Sequence, residues 1–230
     1  TVAAVNDVTP GWTQPSDVTM SSFSGWGPTD DGRIKPDISG NGIGLYSCDD
    51  DNDADYTSSS GTSMSSPNVA GSLLLLQQHY NNAYGSYMRS STLKGLVIHT
   101  ANEAGSNPGP DYAFGWGLLD AAAAADVIST TGSNVIFEPT LSDGNTWSYT
   151  FTANGTQDFS ATLGWIDPAA ATTGSVLNPT AARLINDLDI RLSDGSTTYT
   201  PWVLDPANPS NAATNGDNFR DNVEKLEPGI

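Results

Sequence analysis

Gly61-Thr62-Ser63 stands directly before an apolar run containing Val69, Ala70, Leu73, Leu74, Leu75 and Leu76, an order that puts a hydroxyl at the opening of a helix. The first N–H groups of a helix have no partner inside it, and the helix dipole adds partial positive charge at that end. A serine there can attack a carbonyl while a backbone N–H receives the oxyanion that develops. Gly61 permits a tight entry, and Pro67 falls on an early turn where its missing N–H costs little. With Leu73, Leu74, Leu75 and Leu76 the helix is apolar on most sides, which predicts that it lies in a core. Taken alone, Gly-Thr-Ser also fits a plain helix cap without chemistry.

A serine hydroxyl is a weak nucleophile until a base takes its proton. The chain has two histidines. His79 lies sixteen residues beyond Ser63 on what reads as the same helix, so at 1.5 Å per residue its backbone is roughly 24 Å away. His99 falls on the next helix, in Leu96-Val97-Ile98-His99-Thr100-Ala101. Neither is placed to serve Ser63.

The run Gly61 to Gly71, GTSMSSPNVAG, resembles the serine signature GTSMAxPxVAG of the subtilases, the subtilisin-like serine peptidases, and departs from it mainly at Ser65, where alanine is usual. Two further stretches are similar to the same family and follow its order. Phe23 to Ile38, FSGWGPTDDGRIKPDI, looks like the segment FSSxGPTxDGRxKPDV, with Thr1 to Asn6 resembling the buried strand before it. Gly115-Trp116-Gly117-Leu118-Leu119-Asp120-Ala121 is similar to the closing GxGLxNA motif.

The resemblance implies an α/β subtilisin-like fold, in its C-terminal portion, over residues 1–131. It implies that Ser63 is the nucleophile of a serine endopeptidase acting on protein or peptide substrates, with the Ser63 backbone N–H in the oxyanion hole. Subtilases run Asp, His, Ser along the chain, so the acid, the base and the side-chain oxyanion donor, an asparagine, are expected upstream of Thr1. The upstream part of the same protein is then a required partner, and the 230-residue chain alone is expected to be inactive. Met64 matches the methionine that follows the nucleophile in the family. An alternative of another class is a non-catalytic binding or structural module that retains the peptidase fold.

Eight Lys and Arg against 26 Asp and Glu give a formal net charge of −18 and a pI of about 4.1, which excludes a nucleic-acid partner held by a basic patch and disfavours anionic membranes. No apolar stretch is long enough to span a bilayer. The single cysteine, Cys48, cannot form an internal disulfide and reads as a small buried structural residue. A secreted, extracellular hydrolase of this kind must draw stability from packing or bound ions.

A helix from Leu118 to Ile128 closes the first part, and Ser129 to Asn134 reads as a linker into a second domain over residues 132–230. There the pattern alternates: Trp147, Tyr149 and Phe151 share one face of Asn145 to Thr152, and Phe159 to Pro168 and Leu188 to Leu192 behave similarly. Turn clusters at Ser142-Asp143-Gly144 and Ser193-Asp194-Gly195 complete the signature of an antiparallel β-sandwich. Leu184 to Ile190 and Arg220 to Glu224 resemble motifs of the jelly-roll domain carried by some secreted subtilases. Further strands follow in that family, so a truncated sandwich with an open edge is expected at Glu227 to Ile230.

Two acidic sets could hold structural calcium. Asp51, Asp53 and Asp55 alternate within Asp49 to Asp55 and can converge on a hard cation if the loop curls, although the glycine and distal glutamate of an EF-hand are missing. The bland reading is a solvated acidic loop. Asn186, Asp187 and Asp189 with Asp221 form the other set, which the jelly-roll resemblance favours; strand alternation puts Asp187 and Asp189 on one side, away from Leu188 and Ile190.

Overall fold

A computed structural model describes residues 1–130, 136–153, 155 and 158–229. Of the linker expected over 129–134, residues 131–134, and with them the domain boundary, lie outside the described residues.

The first half is organised around a short parallel pair. Strand β1 (Val2–Val5) runs beside β2 (Ile38–Asn41), with Val2 opposite Ile38 and Val5 opposite Asn41. An all-apolar VAAV suits a strand covered on both faces, and Ala3, Ala4 and Val5 are buried. Past β2 the chain forms an antiparallel hairpin, β3 (Leu45–Cys48) with β4 (Tyr56–Ser59), which delivers it to helix α1 (Thr62–Tyr84). Helix α1 ends at Gly85, whose left-handed φ of 74° lets its N–H close on Asn81 O. Helices α2 (Ser90–His99) and α3 (Ala121–Ser129) pack beside it, and Leu76, Met88, Leu96, Val97, Ala124 and Ile128 form their shared core.

The closing helix starts three residues later than its sequence predicts. Asp120 Oδ1 accepts the Ala123 N–H as an N-cap, while Leu118 is drawn into bridges with Ser39 and Asn102. The turn before it needs its glycine: Gly115 has φ +68°, and a Cβ there would meet Pro36 O at 2.2 Å.

The second half is built from antiparallel pairs. Strand β5 (Ala161–Gly164) pairs with β10 (Val223–Leu226), β6 (Leu192–Ser193) with β7 (Thr198–Tyr199), and β8 (Trp202–Val203) with β9 (Thr214–Asn215). Among the described residues these three pairs do not join into a two-sheet sandwich. Asn145 to Thr152 does not enter a ladder, although its rings line up as alternation predicts, with Trp147 and Tyr149 stacked at 6.4 Å and Tyr149 and Phe151 at 6.3 Å. Of Leu188 to Leu192 only Leu192 joins a strand, because the Ile190 N–H is taken by Glu224 Oε2 instead of a neighbouring backbone.

The two halves are docked together. Val223 shares a core with Ile34, Ile98, Tyr112 and Trp116; Asp221 Oδ1 accepts the Ile34 N–H at 2.9 Å, and Lys94 Nζ donates to Asn222 Oδ1 at 2.9 Å.

Two expectations about burial are corrected. Cys48 is exposed, because it ends a strand whose hairpin is covered on neither side. On α1, Leu76 is buried but Leu74 and Leu75 are 71% and 66% exposed, since the helix packs on β1, β2 and α3 through one face.

Candidate active site

Ser63 sits exposed on the first turn of α1. The N–H groups of Met64 and Ser65 both close on Gly61 O, at 3.0 and 3.1 Å. Among the described residues this leaves the Ser63 N–H free for an outside acceptor, the arrangement an oxyanion donor requires. The turn is tied to the sheet from behind: Gly61 N donates to Gly42 O at 2.8 Å, and Gly42 N donates to Val5 O at 3.0 Å.

Both histidines are engaged elsewhere. His79 Nε2 is 2.7 Å from Ser129 Oγ on α3, and His99 bonds Thr162 Oγ1 through Nδ1 at 3.1 Å and Ser160 Oγ through Nε2 at 3.3 Å. Burial and the nearby Lys225 ammonium push the His99 pKa down, so it is a neutral pin between the halves. Two partly buried carboxylates of the first half also have structural partners. Burial would raise Asp37, but Lys35, at 2.5 Å, and Lys94, at 3.3 Å, hold it well below the usual carboxylate range. Asp111 takes the N–H groups of Ala113 and Phe114, shaping the turn before Gly115.

Asp51 and Asp53 are exposed and Asp55 half-buried at the tip of the β3–β4 hairpin, where the loop bonds largely to itself: Asp49 N to Asp55 O at 3.0 Å, and Ala54 N to Asn52 Oδ1 at 3.1 Å. The second acidic set is divided. Asp221 is buried and spends its carboxylate on Ile34 N and Asn218 Nδ2, away from Asp187 and Asp189. The Asn186 amide is bonded to Asp167, which also accepts the N–H groups of Ile185 and Asn186. Asp189 instead shares Arg191 with Asp217, at 2.7 and 2.5 Å, and Glu224 lies behind them. Among the described residues no cluster of three His, Cys, Asp or Glu is arranged to hold a metal.

Burial and mutual repulsion raise Asp187 and Asp189, and burial pushes Glu224 up to about 7. Sequence reading missed Asp167, Asp217 and Glu224. A glutamate between Val223 and Leu226 was the one visible signal, because a charge in an apolar strand needs a partner.

An exposed serine on the opening turn of a helix, backed by a parallel strand pair, has the placement that a nucleophile needs. Residues 1–117 match the subtilase family, and the chain belongs to it. Over 134 residues it is 34% identical to the PII-type proteinase of Lactococcus lactis subsp. cremoris, covering 52% of this chain and 7% of that protein. Over 78 residues it is 45% identical to the C5a peptidase of Streptococcus pyogenes, covering 34% of this chain and 6% of that one. The chain thus spans a small fraction of the curated relatives it matches. A similar solved structure is the CspB protease of Clostridium perfringens, with a TM-score of 0.46 and 21% identity over 57% of this chain and 27% of that one.

Proposed function

We propose that Ser63 is the nucleophile of a serine endopeptidase and acts within a protein longer than these 230 residues. The observation that carries this reading is the placement of Ser63, exposed on the first turn of α1 with its N–H free among the described residues. Ser63 Oγ attacks the scissile carbonyl carbon and its proton passes to a histidine base; the tetrahedral oxyanion is held by the Ser63 N–H and an asparagine side chain. Collapse expels the amine, which takes the proton from the histidine, and water then hydrolyses the acyl-enzyme. The family order of Asp and His before Ser assigns the histidine, its aspartate and the asparagine to chain before Thr1, and the engagement of His79 with Ser129 and of His99 with Thr162 and Ser160 supports this. The isolated chain is therefore inactive in this reading.

The substrate is protein or peptide, and the charge of −18 sets nucleic acid and anionic membranes aside. Among the described residues no helix is long and apolar enough to cross a membrane. We place the protein outside the cell, and residues 132–230 in a jelly-roll domain, a reading that the antiparallel pairs and aligned aromatics support.

Structural calcium is part of this proposal. Asp187 and Asp189 supply the oxygen donors a hard cation takes, and Glu224 Oε1 is buried nearby without a hydrogen-bond partner, although among the described residues three such groups are not gathered round one point. A cation there would offset the carboxylate repulsion now met by Arg191 alone. The hairpin set Asp51, Asp53 and Asp55 is the weaker site.

Replacing Ser63 tests the nucleophile. In the complete protein Ser63→Ala should lower kcat about 10⁶-fold, the loss seen on removing the nucleophile of subtilisin, with little change in folding. Turnover above about a tenth of wild type would assign the chemistry elsewhere. Because both histidines are bonded to other residues, a binding module with the peptidase fold is the second reading; a complete protein lacking the upstream Asp, His and Asn would establish it.

A further inference from the structure

The residue that departs from the serine signature also fixes the nucleophile's position. Ser65 is fully buried, and its Oγ lies 2.8 Å from Ala3 O on β1 and 2.9 Å from Gly40 O on β2. One hydroxyl hydrogen serves both carbonyls, so the side chain spans the seam between the two parallel strands. A buried hydroxyl without a partner is costly, so this contact holds the first turn of α1 against the sheet.

The chain just past the end of β2 also holds the other side of Ser63. Gly61 N donates to Gly42 O, two residues from the Gly40 carbonyl that receives Ser65. Residues two before and two after Ser63 are therefore fastened to Gly42, just past the end of β2, and to Gly40 within it. A chain pinned at both ends of so short a span has little freedom to tilt the hydroxyl between them. Packing leaves no slack: a Cβ on Gly40 would come 2.6 Å from Val69 Cγ2 and 3.3 Å from Ser65 Oγ.

We propose that Ser65 is a positioning residue for the peptidase reaction, setting the reach of Ser63 Oγ by tying α1 to β1 and β2. The proposal rests on Ser63 being the nucleophile. Misplacement of a reacting atom reduces the chemical step more than binding, so its mark is a fall in kcat without a rise in KM.

The test uses Ser65→Ala and Ser65→Cys in the complete protein, with kcat, KM, melting temperature and the rate of Ser63 labelling by a fluorophosphonate. Ser65→Ala should lower both kcat and the labelling rate by roughly tenfold, the scale of one lost buried hydrogen bond, with KM within about twofold. Ser65→Cys, which keeps a weaker donor, should fall between Ala and wild type. If the Ala variant does not fold, the Cys variant decides. Unchanged kcat and labelling in a folded variant, with only the melting temperature lowered, would make Ser65 a stability residue and overturn the proposal. Failure of the underlying reading looks different, since Ser63→Ala would then keep its activity and wild-type Ser63 would not be labelled.

Discussion

The turn carrying Ser63 and the acidic group around Asp189 are held by opposite means. Around Ser63 the ties are uncharged and come from the backbone or one hydroxyl: Gly61 to Gly42, Gly42 to Val5, and Ser65 to Ala3 and Gly40. Around Asp189 the ties are ionic, with Arg191 shared by Asp189 and Asp217 and a buried Glu224 behind them. Neutral hydrogen bonds do not titrate and are little affected by salt, so the nucleophile turn should keep its shape across pH. The acidic group has no such protection. Neutral contacts fix the Ser63 turn, while the second half holds charged groups able to respond to pH and ions.

The loss of activity in Ser63→Ala is the largest effect, and it should come without a stability change. Next in size is a pH dependence carried by Glu224. Its pKa is raised from 4.5 to about 7 by burial, so between those values the folded protein holds a proton that the unfolded chain has released. Stability from this group is therefore present below pH 4.5 and is lost as pH rises toward 7, by about 3 kcal/mol in total. Glu224→Gln should flatten that slope in urea melts at pH 5 and pH 8; an unchanged slope would show that Glu224 is ionised in the fold.

Calcium should sharpen the same contrast. Added calcium should raise the melting temperature and chelator lower it, and Asp187→Asn with Asp189→Asn should remove most of the response. If Asp51→Asn with Asp53→Asn removes it instead, the hairpin holds the ion. A wild-type melting curve indifferent to both additions would dismiss calcium from the account. The smallest effect concerns Met64, half-buried beside Ser63. Its oxidation places a polar group next to the reacting centre, so peroxide should depress activity and Met64→Ala should resist. Equal sensitivity of the two proteins would show that another group is being oxidised.

The same contrast explains what could be read from the sequence. The Ser63 turn is local: Gly61, Ser63, Pro67 and the apolar run specify a helix start within a dozen residues, so its position was legible. The Ser65 tie was not, because its acceptors lie 62 and 25 residues away on strands whose pairing has to be known first. In the second half the alternation of Trp147, Tyr149 and Phe151 was legible as a common face, but a face does not specify which backbone will pair with it. Asp221 looked like a partner of Asp187 and Asp189 by motif, yet docking of the two halves gave it to Ile34, a contact across 187 residues. Leu74, Leu75 and Cys48 are residue types that favour burial, yet all three are exposed, because burial depends on what packs over a residue and no local pattern carries that.

The most direct test of the central claim is covalent labelling by a fluorophosphonate, with the modified residue mapped by mass spectrometry, on the complete protein and on the 230-residue chain. A positioned base makes Ser63 reactive and an unassisted hydroxyl is not, so the account predicts rapid labelling at Ser63 alone in the complete protein and negligible labelling in the isolated chain. Labelling of the isolated chain at a similar rate, or of another residue in the complete protein, would contradict it.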